Sequence, residues 1–314
     1  MKNASKLTVW LKQTRANFLF LALFLNAIGI GLAYKYIPAG IHLQLTDIVL
    51  IILGTVAAHV SVNLFNEYSD YRTGIDFHTN RTPFNGGSGM MVQGLTSPPA
   101  VLGAAIGTLL FAMAIGIYYA FTSHWLLLLI IVIGAGSILG YTGLLAKYLL
   151  GELFAGISLG SLVVVGTFVA LTASPSLSIT QLIPAEVWLL SIPPGILTAL
   201  LLLLNEFPDV EADKQGGRNH LLIRFGKNTG AYIYSAGAIL TYLIILLLPL
   251  LGISSYWIYI ALIPLPLVVM NIRTTLLFNN DLPKFIPALG GNVIAILLTD
   301  LLLAGSFALA ILLV

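Results

Sequence analysis

An all-α, polytopic membrane protein with nine transmembrane helices, N-terminus inside and C-terminus outside, is the fold class predicted for this chain of 314 residues. Three observations predict it. Hydrophobic residues make up 58% of the chain and charged residues only 8%, whereas soluble domains carry charge at about a quarter of their positions. Nine apolar runs approach the roughly 20 residues a helix needs to cross a hydrocarbon core; they cover about 17–34, 47–69, 99–121, 125–142, 151–172, 187–207, 229–251, 255–272 and 288–313. With nine crossings, every Lys and Arg except Lys35 falls on one side, which the positive charge of cytoplasmic loops marks as the inside.

The elements follow in chain order. The first run comes after a basic start (Lys2, Lys6, Lys12, Arg15) and has no small-residue cleavage pattern, so it reads as a retained span. The stretch from Lys6 to Arg15, with Leu7, Val9, Trp10 and Leu11 between the charges, suits either an interfacial helix or a solvated tail. The fourth, sixth and eighth runs open near Trp125, Trp188 and Trp257. All three would sit at outer interfaces, where indoles are favoured. Only Pro193-Pro194 interrupts a helix interior, and the ninth run contains an acid, Asp300. With no cysteine, disulfide frameworks and thiol chemistry are excluded.

The second and sixth runs end alike, in Asn66-Glu67-Tyr68-Ser69-Asp70 and Asn205-Glu206-Phe207-Pro208-Asp209. Each is followed by a further carboxylate, Asp76 and Asp213. Of the 12 acidic residues, seven lie here: Glu67, Asp70, Asp76, Glu206, Asp209, Glu211 and Asp213. Two helices running in the same direction place both stretches on the inner face. The chain then reads as one membrane domain, 1–314, with similar halves of about 1–142 and 143–314 and a site where they meet.

Asn66 and Asp70 are four residues apart, as are Asn205, Asp209 and Asp213, so on a helix each set shares one face. A helix C-terminus already carries partial negative charge, and carboxylates there are unfavourable without a compensating cation. Solvated loop ends are the alternative for any single Asp. Paired openings, nearby basic residues, and Asn63 and Asn66 inside an apolar run favour the cation, because polar groups in the bilayer usually face a cavity. Oxygen-only donors suit a hard ion such as Mg2+, which commonly completes its shell with water and substrate phosphate. Two acidic clusters could grip a diphosphate between metal ions.

These stretches resemble the two aspartate motifs of the UbiA superfamily of intramembrane prenyltransferases. Further likenesses are Arg81-x-Pro83 with Gly86-Gly87-Ser88, Tyr141-Thr142-Gly143, Lys147, Gly151-Glu152, Asp213-Lys214, and Gly217-Arg218 before Arg224-Phe225-Gly226. The resemblance implies Mg2+-dependent transfer of a prenyl group from an isoprenyl diphosphate to an acceptor, with two ions bridging the diphosphate. It implies that Asn66, Asp70, Asp76, Asn205, Asp209 and Asp213 hold metal. Arg15, Arg72, Lys147, Lys214 and Arg218 would contact phosphate oxygens, and Tyr141 would donate a hydroxyl. Five residues separate Asp70 from Asp76, a form similar to the menaquinone-biosynthesis branch, which makes 1,4-dihydroxy-2-naphthoate the leading acceptor. Leu144-Leu145-Ala146 and Asn205-Glu206-Phe207-Pro208 depart from that branch. A 4-hydroxybenzoate-like phenolic acid or geranylgeranylglyceryl phosphate stays open as acceptor.

The partners expected are therefore isoprenyl diphosphate, a lipophilic or aromatic acceptor and the bilayer, with no nucleic acid and no obligatory protein partner. The location expected is an integral, multi-pass position in a membrane, the cytoplasmic membrane if the source is prokaryotic, with the site near its cytoplasmic face. Phe65, Tyr68, Tyr141 and Phe207 are candidates for cation–π contact with an allylic cation, against simple packing. His78 and His220 are candidate bases, with solvated loop histidines the favoured reading. His59 is read as a packed, hydrogen-bonded core histidine, and Asp300 as part of a cavity wall. Two other classes compete. A cation-coupled transporter should place polar broken helices about a central site, and a membrane phosphotransferase should carry one compact Asp-rich motif, whereas here the motif is split across the halves.

Overall fold

The computed structural model describes residues 5–37 and 42–312; among them it is helical and contains no strand. Lys2 and the last residue of the ninth run lie outside the described residues. A short helix, α1 (Lys6–Gln13), precedes α2 (Leu19–Tyr36), α3 (Leu45–Thr73), α4 (Ile75–His78), α5 (Pro98–Thr122), α6 (Leu126–Gly140) and α7 (Gly151–Gly156). There follow α8 (Leu162–Thr172), α9 (Ile179–Leu182), α10 (Ala185–Glu206), α11 (Val210–Gln215), α12 (Leu221–Leu250), α13 (Leu265–Phe278) and α14 (Leu282–Leu312). The N-terminal stretch is thus helical; α1 leaves Leu7 and Leu11 exposed and buries Val9 and Gln13.

Helix occupies all nine apolar runs, but seven spans are long and apolar enough to cross a membrane: Ala16–Tyr36, Leu45–Thr73, Pro98–Thr122, Gly151–Thr172, Ala185–Glu206, Leu221–Leu250 and Leu282–Ala310. The eighth run is bent by 41° between Tyr256–Leu262 and α13, where Pro264 and Pro266 withhold backbone donors. The fourth, α6, has 15 residues and gives way to a π-helical turn, Tyr141–Leu145. A second π-turn, Ile157–Ser161, joins α7 to α8. Pro193-Pro194, by contrast, does not break its helix. α10 runs through both prolines, supported by the Ser161 hydroxyl donating to the Ser191 carbonyl at 2.8 Å.

Lipid tails are as apolar as leucine, so helix association in a membrane relies on close packing and interhelical hydrogen bonds. Both are present. α2 is packed between α8 and α14, α3 lies on α5, and α10 contacts α12 and the second π-turn. Asn26 in α2 is fully buried; its Oδ1 accepts from Thr55 at 3.2 Å and from Thr167 at 2.9 Å, joining α2 to α3 and α8. At the end of the bundle where α10 begins, Lys35 pairs with Glu186 at 2.6 Å and the Tyr36 hydroxyl donates to the same carboxylate at 2.7 Å. The other end of α10, with the end of α3, carries the two acidic stretches.

α10 approaches the second π-turn most closely at Gly160, where an added Cβ would stand 2.7 Å from the Cα of Gly195. A Gly160→Val substitution is expected to cost about 1–3 kcal/mol through overpacking, read as a lower thermal midpoint of the purified protein in detergent. An unchanged midpoint would mean that this contact does not hold α10 in place.

Candidate functional site

The first acidic stretch is the last part of α3. Gly74, at φ 82°, ends that helix and turns the chain into α4, so that Asp76 points back into the protein at 2% exposure. Glu67 is a clamp and not a free carboxylate. It accepts from the Ser88 backbone N–H at 2.5 Å, the Ser88 hydroxyl at 2.6 Å and the Gln13 amide at 2.9 Å. The loop after α4 can come this close because Gly87 lies at φ 65°. A Cβ there would stand 3.0 Å from Asp76 Oδ1 and 3.1 Å from Glu67 Oε1, and L side chains avoid that backbone region.

The second stretch begins where α10 ends, with Asp209 preceding α11 and Asp213 buried within it. α11 meets α4 through Gly216, whose missing side chain leaves room for Ile75. Arg218 completes the junction: one guanidinium nitrogen contacts Asp70, and the other lies 3.2 Å from Asp213 Oδ1. Burial disfavours the Arg218 charge, yet Asp70 and Asp213 outweigh that and raise its pKa. From the first half, the Asn85 amide donates to Asp209 at 2.5 Å, and Asn85 itself accepts from Thr82. Arg15, at φ 53°, donates to the Phe84 carbonyl at 3.2 Å.

Burial raises Asp76 to about 7, helped by the charges of Glu67 and Asp70 and opposed by Arg81. Asp209 is also raised to about 7, by burial first and then by Asp213, with the Asn85 hydrogen bond opposing. Several buried polar atoms here lack hydrogen-bond partners, among them Asn66 Oδ1 and Asp76 Oδ2. An arrangement with more buried carboxylate oxygen than donors fits a hard divalent cation. Asp70, Asp76, Asp209 and Asp213 would hold it, with Asn66 and Asn205 beside them.

Below the carboxylates a cavity of about 130 Å³ is lined by Arg15, Asn63, Asn66, Tyr141 and Asn205. It shares His59, Ile138, Ser158 and Leu159 with a second, apolar cavity of about 180 Å³ between α3, α5, α6 and α8. The Tyr119 hydroxyl, which donates to Asp47 at 2.8 Å, stands in the wall of this deeper space. Tyr141 and Ser158 each belong to a π-turn, so both irregular stretches of backbone face the cavity. A polar mouth opening into an apolar chamber suits an amphiphile with an anionic head.

The structure gathers Asp70, Asp76, Asp209, Asp213 and Arg218 at the helix ends, and places Asn66, Asn205, Arg15 and Tyr141 at the cavity mouth. It does not bring Arg72, Lys147 and Lys214 to the carboxylates. Arg72 is exposed and lines a flanking cavity beside Asn66 and Tyr68. Lys147 and Lys214 are exposed and make no ion pair with the described residues, the Lys147 ammonium lying 5.8 Å from the Tyr148 ring. His78 is exposed, as the loop reading expects.

His220 is not a solvated loop histidine. It is 4% exposed, with Nδ1 3.5 Å from Glu206 and Nε2 3.3 Å from Asp213. His59 is packed, but its Nε2 has no hydrogen-bond partner; it forms the wall common to both cavities. Asp300 lines neither cavity and is sealed in the bundle with both oxygens unpartnered. Of the aromatic candidates, Tyr141 borders the mouth and Phe207 packs on Phe285 with ring centroids 5.0 Å apart. Sequence reasoning gave no role to Glu67 with its partners Gln13 and Ser88, nor to Asn85 or Glu152. Each acts through a partner distant in sequence, although Ser88 closes the Gly86-Gly87-Ser88 run and Asn85 immediately precedes it.

A model of the UbiA prenyltransferase family matches residues 22–284. The Bacillus subtilis (strain 168) protein named 1,4-dihydroxy-2-naphthoate octaprenyltransferase is 29% identical over 259 residues, covering 82% of this chain and 78% of its own length. The Haemophilus influenzae protein of the same name is 28% identical over 289 residues, covering 81% and 86%. In fold, the chain is similar to a UbiA homolog from Aeropyrum pernix K1, with a TM-score of 0.64 and 17% identity over 94% of this chain and 98% of that one. It is also similar to a UbiA homolog from Archaeoglobus fulgidus solved with DMAPP and Mg2+, with a TM-score of 0.52 and 15% identity over 94% and 99%.

The two raised carboxyls set a pH dependence. Asp76 and Asp209 keep their protons to about pH 7 when folded but release them near pH 4 when unfolded. Their contribution to stability is therefore complete below about pH 4 and lost as pH rises through about 7. In detergent without divalent cation, the thermal midpoint is expected to fall from about pH 4 to about pH 7 and to level off above it, a window set by the unfolded carboxyl and by those values, and added Mg2+ is expected to restore most of it at the upper end. A cation-free midpoint that is flat or rises over this range would contradict the assignment.

Proposed function

Because this chain belongs to the UbiA prenyltransferase family, we propose that it transfers a prenyl group from an isoprenyl diphosphate to 1,4-dihydroxy-2-naphthoate in quinone biosynthesis, releasing diphosphate. Prenyl transfer itself comes with the family. The acceptor is inferred from the names of its relatives and from the spacing of Asp70 and Asp76. One observation carries the proposed site most directly: Arg218 joins a carboxylate of each motif, and the asparagines that open the same motifs, Asn66 and Asn205, line a cavity that turns from polar to apolar.

In this reading the diphosphate lies between the motifs, with Arg218 and Arg15 on its oxygens and the prenyl chain directed past His59 into the apolar chamber. Asn66, Asp70, Asp76, Asn205, Asp209 and Asp213 hold Mg2+, by analogy with the Archaeoglobus homolog solved with that ion. Mg2+, when bound, neutralises charge on the leaving diphosphate. The allylic carbon–oxygen bond breaks with its electron pair going to the diphosphate, an electron-rich ring carbon of the acceptor forms the new carbon–carbon bond, and that carbon then loses the group it carried, as H+ or, from a carboxylate-bearing carbon, as CO2, to restore the aromatic ring. Arg218, charged and held by Asp70 and Asp213, is placed where negative charge develops. Ile138, Leu159 and Leu201 line the cavity below the carboxylates and keep water from the allylic cation. The Tyr141 hydroxyl is at hand as a donor.

The finer topology belongs to the same proposal. We take all nine apolar segments to cross the membrane, including short α6 and the bent pair, with the N-terminus and the site on the cytoplasmic side. The two halves, about 1–142 and 143–314, then supply one motif each. Two ions are proposed, one for each motif.

Asp70→Asn and Asp209→Asn variants are expected to lose about 100-fold or more of Mg2+-dependent diphosphate release, the scale of removing a charge-stabilising group. Folded, membrane-inserted variants with full activity would refute the site. In the same assay, product mass across an acceptor panel is expected to favour dihydroxynaphthoate over 4-hydroxybenzoate and geranylgeranylglyceryl phosphate. Gly134 borders the apolar chamber with open space where a Cβ would be. Gly134→Phe should therefore fill it and shift use toward shorter prenyl diphosphates, and unchanged chain-length use would remove the tail from this chamber.

A further inference from the structure

Behind Tyr141, outside the cavity lining, three side chains from separate elements converge. Glu152 comes from α7, Glu206 from the end of α10, and His220 from the residue before α12. They are 4%, 7% and 4% exposed, and one ligand atom from each lies within 4.8 Å of the others. Glu152 Oε1 accepts the Leu221 backbone N–H at 3.2 Å, but Glu152 Oε2 and Glu206 Oε2 meet no N–H or O–H donor in a hydrogen bond among the described residues, and the His220 nitrogens face carboxylate oxygens at 3.5 and 3.3 Å without closing a hydrogen bond. Two buried carboxylates and an imidazole turned toward one point are costly unless something binds them.

We propose that Glu152, Glu206 and His220 form a second cation site, separate from the aspartate motifs, that takes a transition-metal ion of the Mn2+ or Zn2+ class. The donor set chooses the ion. A nitrogen ligand beside carboxylates suits borderline metals, whereas Mg2+ is held by oxygen. His220 Nδ1 lies 3.5 Å from Glu206 Oε2, close to the edge of about 3.3 Å that two ligands make around a tetrahedral ion at ordinary zinc distances. The other nitrogen gives an independent sign. Metal-bound histidines usually donate their second N–H to a carboxylate, and His220 Nε2 faces Asp213 Oδ2 at 3.3 Å.

The consequence is a joint between two sites. Asp213 has one oxygen toward Arg218 and the other toward His220, so an ion in the trio would fix the carboxylate that orients Arg218. The trio also ties the start of α7, the end of α10 and the start of α12, and Tyr141 packs on this corner through Gly151. This inference does not rest on the acceptor, or on Mg2+ at the aspartates.

The test uses full-length protein in detergent, stripped of metal and titrated with Mn2+ alone. In an Asp70→Asn, Asp209→Asn background, one Mn2+ per chain is expected to remain bound in the presence of excess Mg2+. Its pulsed EPR spectrum should show imidazole ¹⁴N coupling, and Zn2+ should displace it. Adding His220→Asn should remove the nitrogen coupling, and isosteric Glu152→Gln should weaken Mn2+ binding at least about tenfold. No bound Mn2+, bound Mn2+ without nitrogen coupling, or coupling that survives His220→Asn would overturn the site. If the wild-type protein proved to lack transferase activity while nitrogen-coupled Mn2+ persisted, the proposed function would fail and this site would stand.

Discussion

Arg218 bridging Asp70 and Asp213 is the contact on which the motif-bearing end of the bundle depends. Without a cation between them, the ends of α3 and α10 would bring several buried carboxylates together at helix C-termini, where the backbone is already negative. The guanidinium offsets part of that charge and leaves the rest unsatisfied, as the orphaned oxygen of Asp76 records. Around it, Glu67 fastens the loop after α4, Asn85 passes from that loop to Asp209, and Gly216 lets α11 settle on Ile75. Polar contacts thus unite two regions of the chain that apolar packing alone would not align.

Backbone irregularity follows the cavity. Lipid-exposed backbone must satisfy its own hydrogen bonds, so departures from regular α-helix are tolerated where they meet protein or a cavity. The two π-turns do so, presenting Tyr141 and Ser158 to the same space. Pro193-Pro194, which looks like the natural break, lies in a closely packed part of α10 where Ser161 supports the helix. Deformation is therefore found beside the chamber and absent from the tightest packing.

The sequence made the helical class and most spans legible, because hydropathy reports directly on the solvent around each segment. It also drew attention to Asp70, Asp76, Asp209 and Asp213, since carboxylates are scarce in such a chain and their clustering stands out. It could not rank the basic residues. Arg72 and Lys214 are closer to the motifs in sequence than Arg218, and only the turn after α11 separates the one that points inward. Loop histidines are usually wet, but His220 is held by Glu206 and Asp213, partners that only the fold supplies. The two irregular spans also escaped, because apolarity gives length of run and says nothing of a bend at Pro264 or a π-turn at Tyr141.

The π-turn that follows α6 does more than place a side chain. The 15 residues of α6 rise about 22 Å, short of a hydrocarbon thickness of about 30 Å, and the helix is continued by the π-turn Tyr141–Leu145. α6 is also a wall of the apolar chamber. The same five residues therefore add helical length to a short segment and carry Tyr141 to the cavity mouth. Helix length and site geometry are set here by one stretch of backbone, so a deletion that made the turn regular would change both together.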